Sequence, residues 1–307
     1  MNGSTAPGGD YRTGAASEAP ALAESLSWGS AAPARESFSN DPLGVAAAIA
    51  RYWFAMAFTA LTAVFFFTLS LGGLVMPRAR GRAYMLDVAR WWATCVLWAS
   101  RCPIDVQFHG QRPTGGFLFF ANHQSVLDII ALFVALKDTP FAFAAKRELF
   151  KVPFIGWYLA IAGYVEVDRN NRERAMASYQ RAAGLLQEGL RICIYPEGTR
   201  SVDGSVLPFK KGPFMLALEA QVPIVPVAVE GAQHAVRKHT FRLYGATIHV
   251  RVGDPIQTTG LGLEQRDDLI VRTREAILAL HREAGAPPSP EHPMIAPPGK
   301  RSGEREA

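Results

Sequence analysis

The sequence predicts an α/β domain, a mixed sheet flanked by helices, preceded by an N-terminal membrane-associated helical segment. Three observations lead there. Residues 52–76 form a run of 25 without a single charge, short apolar runs alternate with helical periodicity from about residue 103, and both ends of the chain lose apolar patterning. With 307 residues, 49% of them apolar, the chain can bury a substantial core.

Taken in order, residues 1–42 are rich in Gly, Ala, Ser, Pro and Glu and read as a disordered tail. No basic stretch directly precedes an apolar one there, so it does not read as a signal peptide. Residues 43–102 form the membrane-associated segment. At about 1.5 Å per residue the uncharged run is long enough for a bilayer core of about 30 Å. Tyr52 and Trp53 stand where interfacial anchors belong, and Arg78, Arg80 and Arg82 follow the run. The tail before it is net acidic through Asp10, Glu18, Glu24, Glu36 and Asp41. If the run spans, the positive-inside rule puts everything after Met76 on the cytoplasmic side. Residues 91–99 hold three tryptophans between Arg90 and Arg101; too short to span, they read as an interfacial helix packed back on the first. The competing reading of both stretches is a buried helical hairpin in a soluble core.

Residues 103–283 read as the α/β domain. Strands are expected at 116–121, 141–145, 191–195, 224–229 and 247–252, and helices at 125–136, 172–189, 213–220 and 263–282. Such alternation points to layered α/β architecture. Residues 284–307, Pro-rich and polar, read as a second disordered tail. The net charge of +5 is too weak to argue for nucleic acid and suits a surface facing anionic headgroups. Cys95, Cys102 and Cys193 form neither a zinc spacing nor a disulfide framework.

Chemistry concentrates in four segments. In the first, Asn122 to Asp128, a buried strand runs out into a helix. His123 suits proton transfer near neutral pH, and a carboxylate on its second nitrogen fixes tautomer and orientation. Within one continuous helix five residues would set the two side chains about 140° apart, so His123 must sit in the turn before Ser125 for Asp128 to reach it. The bland alternative is a capping box, Ser125 with Asp128. His249 and Asp254 share the spacing and read as coincidence. The second segment, Tyr195 to Ser201, follows a strand and combines Gly198 with the phosphate-matching fork of Arg200; alternatively Arg200 pairs with Glu197 in an ordinary turn. Neither the phosphate-loop pattern nor the esterase elbow is present. The third is Lys146-Arg147-Glu148-Leu149 followed by Pro153 to Trp157, and the fourth is the apolar stretch from Val222 to Ala228.

Together these segments resemble the blocks of the glycerolipid acyltransferase family: NHxxxxD at Asn122, His123 and Asp128; KxELxxxPxxG at Lys146, Glu148, Leu149, Pro153 and Gly156; PEGTRS at Pro196 through Ser201 with Phe209, Lys210 and Gly212; and VPIVPVAV. The resemblance covers about residues 100–255. It implies that His123, oriented by Asp128, is the general base in acyl transfer from acyl-CoA or acyl carrier protein to a lysophospholipid, and that Lys146, Glu197, Gly198, Thr199 and Arg200 bind the acceptor. It implies no cofactor and no metal, with lysophosphatidate as acceptor and phosphatidate as product. The expected location is a bacterial-type inner membrane, with the catalytic domain on its cytoplasmic face. Rival expectations are another lysolipid acceptor, such as lyso-ornithine lipid, or a lipid-binding protein without chemistry.

Overall fold

The structure, a computed structural model, describes residues 42–152, 155–162, 164–167, 172–236, 241–290 and 292–296. The expected tail over residues 1–42 lies, apart from Pro42, outside the described residues. The uncharged run belongs to α1 (Pro42–Ser70), which starts ten residues earlier than the run does, and ends in a 3-10 turn, Leu71–Val75. Gly81 then meets Gly73 so closely that a Cβ on Gly81 would lie 2.2 Å from the Gly73 carbonyl oxygen, and this contact folds the chain back into α2 (Arg78–Ala99). The expected short helix at 91–99 is thus the end of a 22-residue one. Its polar first half hid it: Arg80 and Asp87 are exposed while Met85 and Val88, on the same turns, are buried.

α2 serves two partners. One side packs on α1, as expected, and the other on α3 (Leu127–Ala135), through Ala93, Val96 and Leu97. α1 buries only Ala48, Ala55 and Ser70, and exposes Trp53, Phe54, Leu61, Val64 and Phe65. A core helix of a soluble protein would bury such side chains. Together with its 3-10 extension, α1 is the one element among the described residues long and apolar enough to cross a membrane.

Seven strands form the sheet: β1 (Ile104–Phe108), β2 (Phe117–Ala121), β3 (Ala142–Lys146), β4 (Val165–Val167), β5 (Arg191–Ile194), β6 (Ile224–Glu230) and β7 (Ile248–Val252). Their order is β1-β7-β6-β2-β5-β3-β4. All pairs are parallel except β6 with β7, so the sheet is mixed as expected. β2 is central and wholly buried: Phe117, Phe119 and Ala121 face the α2–α3 side, while Leu118 and Phe120 face the other. That second face is covered by α5 (Arg172–Gln187), α6 (Lys211–Ala220) and α8 (Arg266–Glu283). Burial on both faces explains why β2 reads as a continuous apolar run rather than an alternating one. Two short helices, α4 (Ile155–Ile161) and α7 (Ala232–Ala235), complete the set.

The domain does not stop at residue 283. Phe209 and Ile295 form a parallel bridge, the Ala296 N–H donates to the Phe209 carbonyl at 2.8 Å, and His292 lies 3.2 Å from the Ser205 hydroxyl. Residues 292–296 of the expected second tail therefore pack on the domain, with Ile295 against the α6–α8 core. Residues 297–307 lie outside the described residues.

Candidate active site

Parallel strands β2, β5 and β3 end side by side, and three of the four singled-out segments leave from those ends, where open α/β sheets gather their functional groups. Just past β2, Asn122 is fully buried and its amide clasps the Val229 backbone in both directions, at 2.9 and 2.8 Å. The chain then turns for four residues before α3 begins at Leu127, two residues later than the sequence indicated.

Within that turn His123 Nδ1 lies 2.8 Å from Asp128 Oδ2. The same oxygen accepts the N–H groups of Gln124 at 2.6 Å and Ser125 at 2.8 Å. Only half of the capping box forms: Asp128 Oδ2 takes the Ser125 N–H, but the N-cap is Val126 and the Asp128 N–H bonds the Ser125 carbonyl. One buried oxygen thus both ties the turn and meets the imidazole. A carboxylate partner selects the tautomer with hydrogen on Nδ1, leaving Nε2 for proton transfer. The ring also stacks on Tyr195, with centroids 4.0 Å apart and planes 16° apart. Tyr195 in turn stacks on Phe143, so the imidazole rests on the core. His249, by contrast, pairs with Asp105 on neighbouring β1 at 2.9 Å, not with Asp254.

The turn after β5 is stitched to the first. The Ser201 N–H donates to the His123 carbonyl at 2.8 Å, and the His123 N–H reaches Glu197 Oε1 at 3.4 Å. Glu197 is only 2% exposed, and its Oε2 has no hydrogen-bond partner among the described residues. Burial pushes its carboxyl well above the usual range, and the nearby Asp128 charge adds to this against the pull of the His123 and Leu207 backbone donors and of Arg274. Glu197 does not pair with Arg200, which is exposed, as is Thr199. Gly198 has φ +72°, and a Cβ there would come within 2.9 Å of Lys210 Cε and Nζ. Only glycine combines that backbone conformation with that close approach. The approach brings Lys210 over the turn, anchored by its own N–H to the Pro196 carbonyl at 2.9 Å. Lys210 was visible in the sequence only as the trailing part of a block; its place depends on a contact across twelve residues.

Beyond the turn, Asp203 accepts from the hydroxyls of Ser201 and Ser205 and the Ser205 N–H at 2.7–3.0 Å, and these bonds draw its carboxyl down to about 2. Lys146 ends β3 on the same edge of the sheet; its side chain lies outside the described residues, as do Pro153 and Phe154. Among the described residues no group of three or more His, Cys, Asp or Glu is arranged to hold a metal ion.

A family model described as Acyltransferase matches residues 104–230, which span both turns. The 1-acyl-sn-glycerol-3-phosphate acyltransferase alpha of Homo sapiens is 32% identical over 237 residues, 76% of this chain and 82% of that one. The chain belongs to the glycerolipid acyltransferase family. A second member, the 1-acyl-sn-glycerol-3-phosphate acyltransferase of Limnanthes alba, is 35% identical over 177 residues, 57% of this chain and 62% of its own length. The crystal structure of the 1-acyl-sn-glycerophosphate acyltransferase from Thermotoga maritima superposes with a TM-score of 0.66 at 24% identity, over 78% of this chain and 95% of that one. The shared fold includes the mixed sheet found here. This acyltransferase thus has three of the expected blocks starting at strand ends that the sheet brings together, while the fourth, residues 222–228, leads into β6.

Proposed function

We propose that the enzyme moves an acyl group from a thioester, acyl-CoA or acyl carrier protein, to the free hydroxyl of a 1-acylglycerol 3-phosphate, giving phosphatidate. The observation that carries the reading is the short contact from His123 Nδ1 to a fully buried carboxylate that two backbone N–H groups also hold. His123 Nε2 takes the hydroxyl proton as the oxygen attacks the thioester carbonyl. A C–O bond forms, the C–S bond breaks, and the imidazolium returns its proton to the leaving thiolate. No acyl-enzyme and no cofactor is required. General-base assistance of this kind contributes about 10²–10⁴-fold, the remainder coming from positioning.

For the acceptor phosphate the reading uses exposed Arg200 and Thr199, the Gly198 backbone, Lys210 beside it, and Lys146 on the neighbouring strand end. Glu197 was expected among the acceptor ligands from the sequence. Its burial supports a different part: it backs the His123 N–H from inside the fold rather than facing the acceptor.

The membrane arrangement follows from the hairpin. The Leu243 N–H donates to the Ala48 carbonyl at 3.0 Å, and Arg51 Nη1 to the Tyr244 carbonyl at 3.1 Å, so the start of α1 is bonded to the domain. α2 then returns alongside. Both features support a hairpin held at one face of the bilayer, on the side of the catalytic domain, rather than a crossing with residue 42 on the far face. The apolar side chains of α1 then lie in lipid and the charged first half of α2 at the headgroups.

The test is an assay of purified membranes with a panel of lysolipids and acyl thioesters, with Arg200→Lys alongside wild type. Preference for the phosphate monoester acceptor is expected. Arg200→Lys, which keeps charge but loses the fork, should raise KM for that acceptor with kcat nearly unchanged. Preference for lyso-ornithine lipid with no competition by glycerol 3-phosphate would overturn the acceptor assignment while leaving His123 and Asp128 in place.

A further inference from the structure

The turn that carries His123 makes no sheet or helix ladder of its own, so its geometry depends on side chains reaching it from elsewhere. Asn122 and Asp128 hold its two ends. Its middle is held by Gln124, which is 6% exposed. The Gln124 amide nitrogen donates to the Gly204 carbonyl at 2.6 Å and lies 3.4 Å from Glu230 Oε2 and 2.8 Å from His281 Nε2. Those partners come from three separate elements: the 201–205 loop, the end of β6, and the last turns of α8.

We propose that Gln124 is a positioning residue for the His123 turn, anchored from behind by a Glu230–His281 pair. The pair is closed off from solvent, with Glu230 4% and His281 2% exposed, and Glu230 Oε2 stands 2.7 Å from His281 Nε2. Burial pushes the Glu230 carboxyl up, but hydrogen bonds from His234, His281 and Gln233 outweigh it and hold the group well below the carboxylate range. An ionised Glu230 only accepts, so His281 directs its Nε2 hydrogen there and that nitrogen cannot also accept from Gln124. The two hydrogens of the Gln124 amide then go to the Gly204 carbonyl and to Glu230 Oε2. Glu230 becomes the shared acceptor for His281 and Gln124, and its other oxygen takes Gln233 at 2.9 Å.

The consequence is mechanical. The loop that Gln124 holds through Gly204 is the same loop whose Ser201 N–H holds the His123 carbonyl. Gln124 therefore locks the two catalytic turns together at a second point, about one residue from the base. Loss of the lock leaves Lys210 bonded beside Gly198 and lets His123 drift from the hydroxyl, and a displacement of about 1 Å at such a group costs on the order of 10²-fold.

This inference rests on His123 being the base, and the experiment keeps the two apart. Full-length enzyme in mixed micelles is assayed with a monoacylglycerol phosphate and an acyl-CoA, at a temperature well below each variant's Tm. Gln124→Ala should lower kcat by about 10–100-fold with both KM values within about threefold. Added to His123→Ala it should cost nothing further, because a misplaced base and a missing base are the same defect. His281→Gln retains a donor toward Glu230 and should keep kcat within a few-fold, whereas His281→Leu should match Gln124→Ala. A kcat near wild type in Gln124→Ala beside a crippled His123→Ala would overturn the lock and spare the base. An equal further loss in the double variant would also overturn it, reducing Gln124 to a structural residue. Should His123→Ala itself turn over normally, the base assignment fails first.

Discussion

Asp128 offers the sharpest separation of roles, because one oxygen performs three tasks at once. It accepts from His123 Nδ1 at 2.8 Å and from two backbone N–H groups at 2.6 and 2.8 Å. In Asp128→Asn the amide oxygen must occupy that position, since the NH₂ group would face two donors. The His123 tautomer is then preserved and only the charge is lost. A hydrogen bond to a charged group contributes about 1.5–3 kcal/mol and a neutral one about 0.5–1.5. The difference of about 1–1.5 kcal/mol corresponds to a 5- to 15-fold fall in kcat. Asp128→Ala removes the acceptor altogether. It orphans two N–H groups at about 1–3 kcal/mol each, so stability should drop by about 2–6 kcal/mol. It also frees the imidazole, so kcat should fall by about 10²–10⁴. The assay is single-variant kinetics beside denaturant unfolding in the same micelles. If Asn and Ala lose equally, the two N–H groups do not fix the oxygen and the orientation argument fails. If Ala unfolds early yet turns over normally while folded, Asp128 only caps the helix.

Other outcomes can be checked with less labour. His123→Ala should lose about 10²–10⁴ in turnover with unchanged circular dichroism, whereas His249→Ala, whose partner is Asp105, should lose little. Glu197 binds a proton more tightly folded than unfolded, so it subtracts stability as pH rises above its ordinary value of 4.5. Glu197→Gln should therefore gain Tm over wild type progressively above that pH, and parallel Tm–pH curves would refute the upward shift of the buried carboxyl. Washing membranes with about 1 M salt, where charges are screened within about 3 Å, should not release the protein. Full release would mean that the apolar face of α1 is covered by protein rather than lipid.

Most of the domain could be read from the sequence where one physical signal dominated. β2, β5 and β6 are buried on both faces, so they stand out as apolar runs bounded by turns. The pairing of His123 with Asp128 was legible because the two lie five residues apart, whereas the bonds from Asn122 to Val229 and from Ser201 to His123 that fix the turns had no local mark. What escaped notice was set by distance. β1 is an edge strand whose Gln107 and Phe108 are exposed, β4 has only three residues, and nothing local marks β7 as running against β6. Glu230 and His281 read as an unremarkable strand end and helix end, because their partner Gln124 is 106 and 157 residues away.

The bond from Arg51 to Tyr244 joins residues 193 apart, and this has a consequence for biosynthesis. At about 5–20 residues per second, α1 leaves the ribosome some 10–40 s before its partner loop exists. During that interval its exposed tryptophan and phenylalanine side chains have only lipid, a chaperone or another nascent chain to rest on. α3, whose first turn holds Asp128, packs chiefly on α2, and Val96 and Leu97 of α2 share a core with Leu132. α3 is therefore completed against a hairpin that was made earlier in the chain. A shortened chain starting after residue 102 would expose that seam of α3, and recovering a soluble catalyst would require polar replacements along it, not deletion alone.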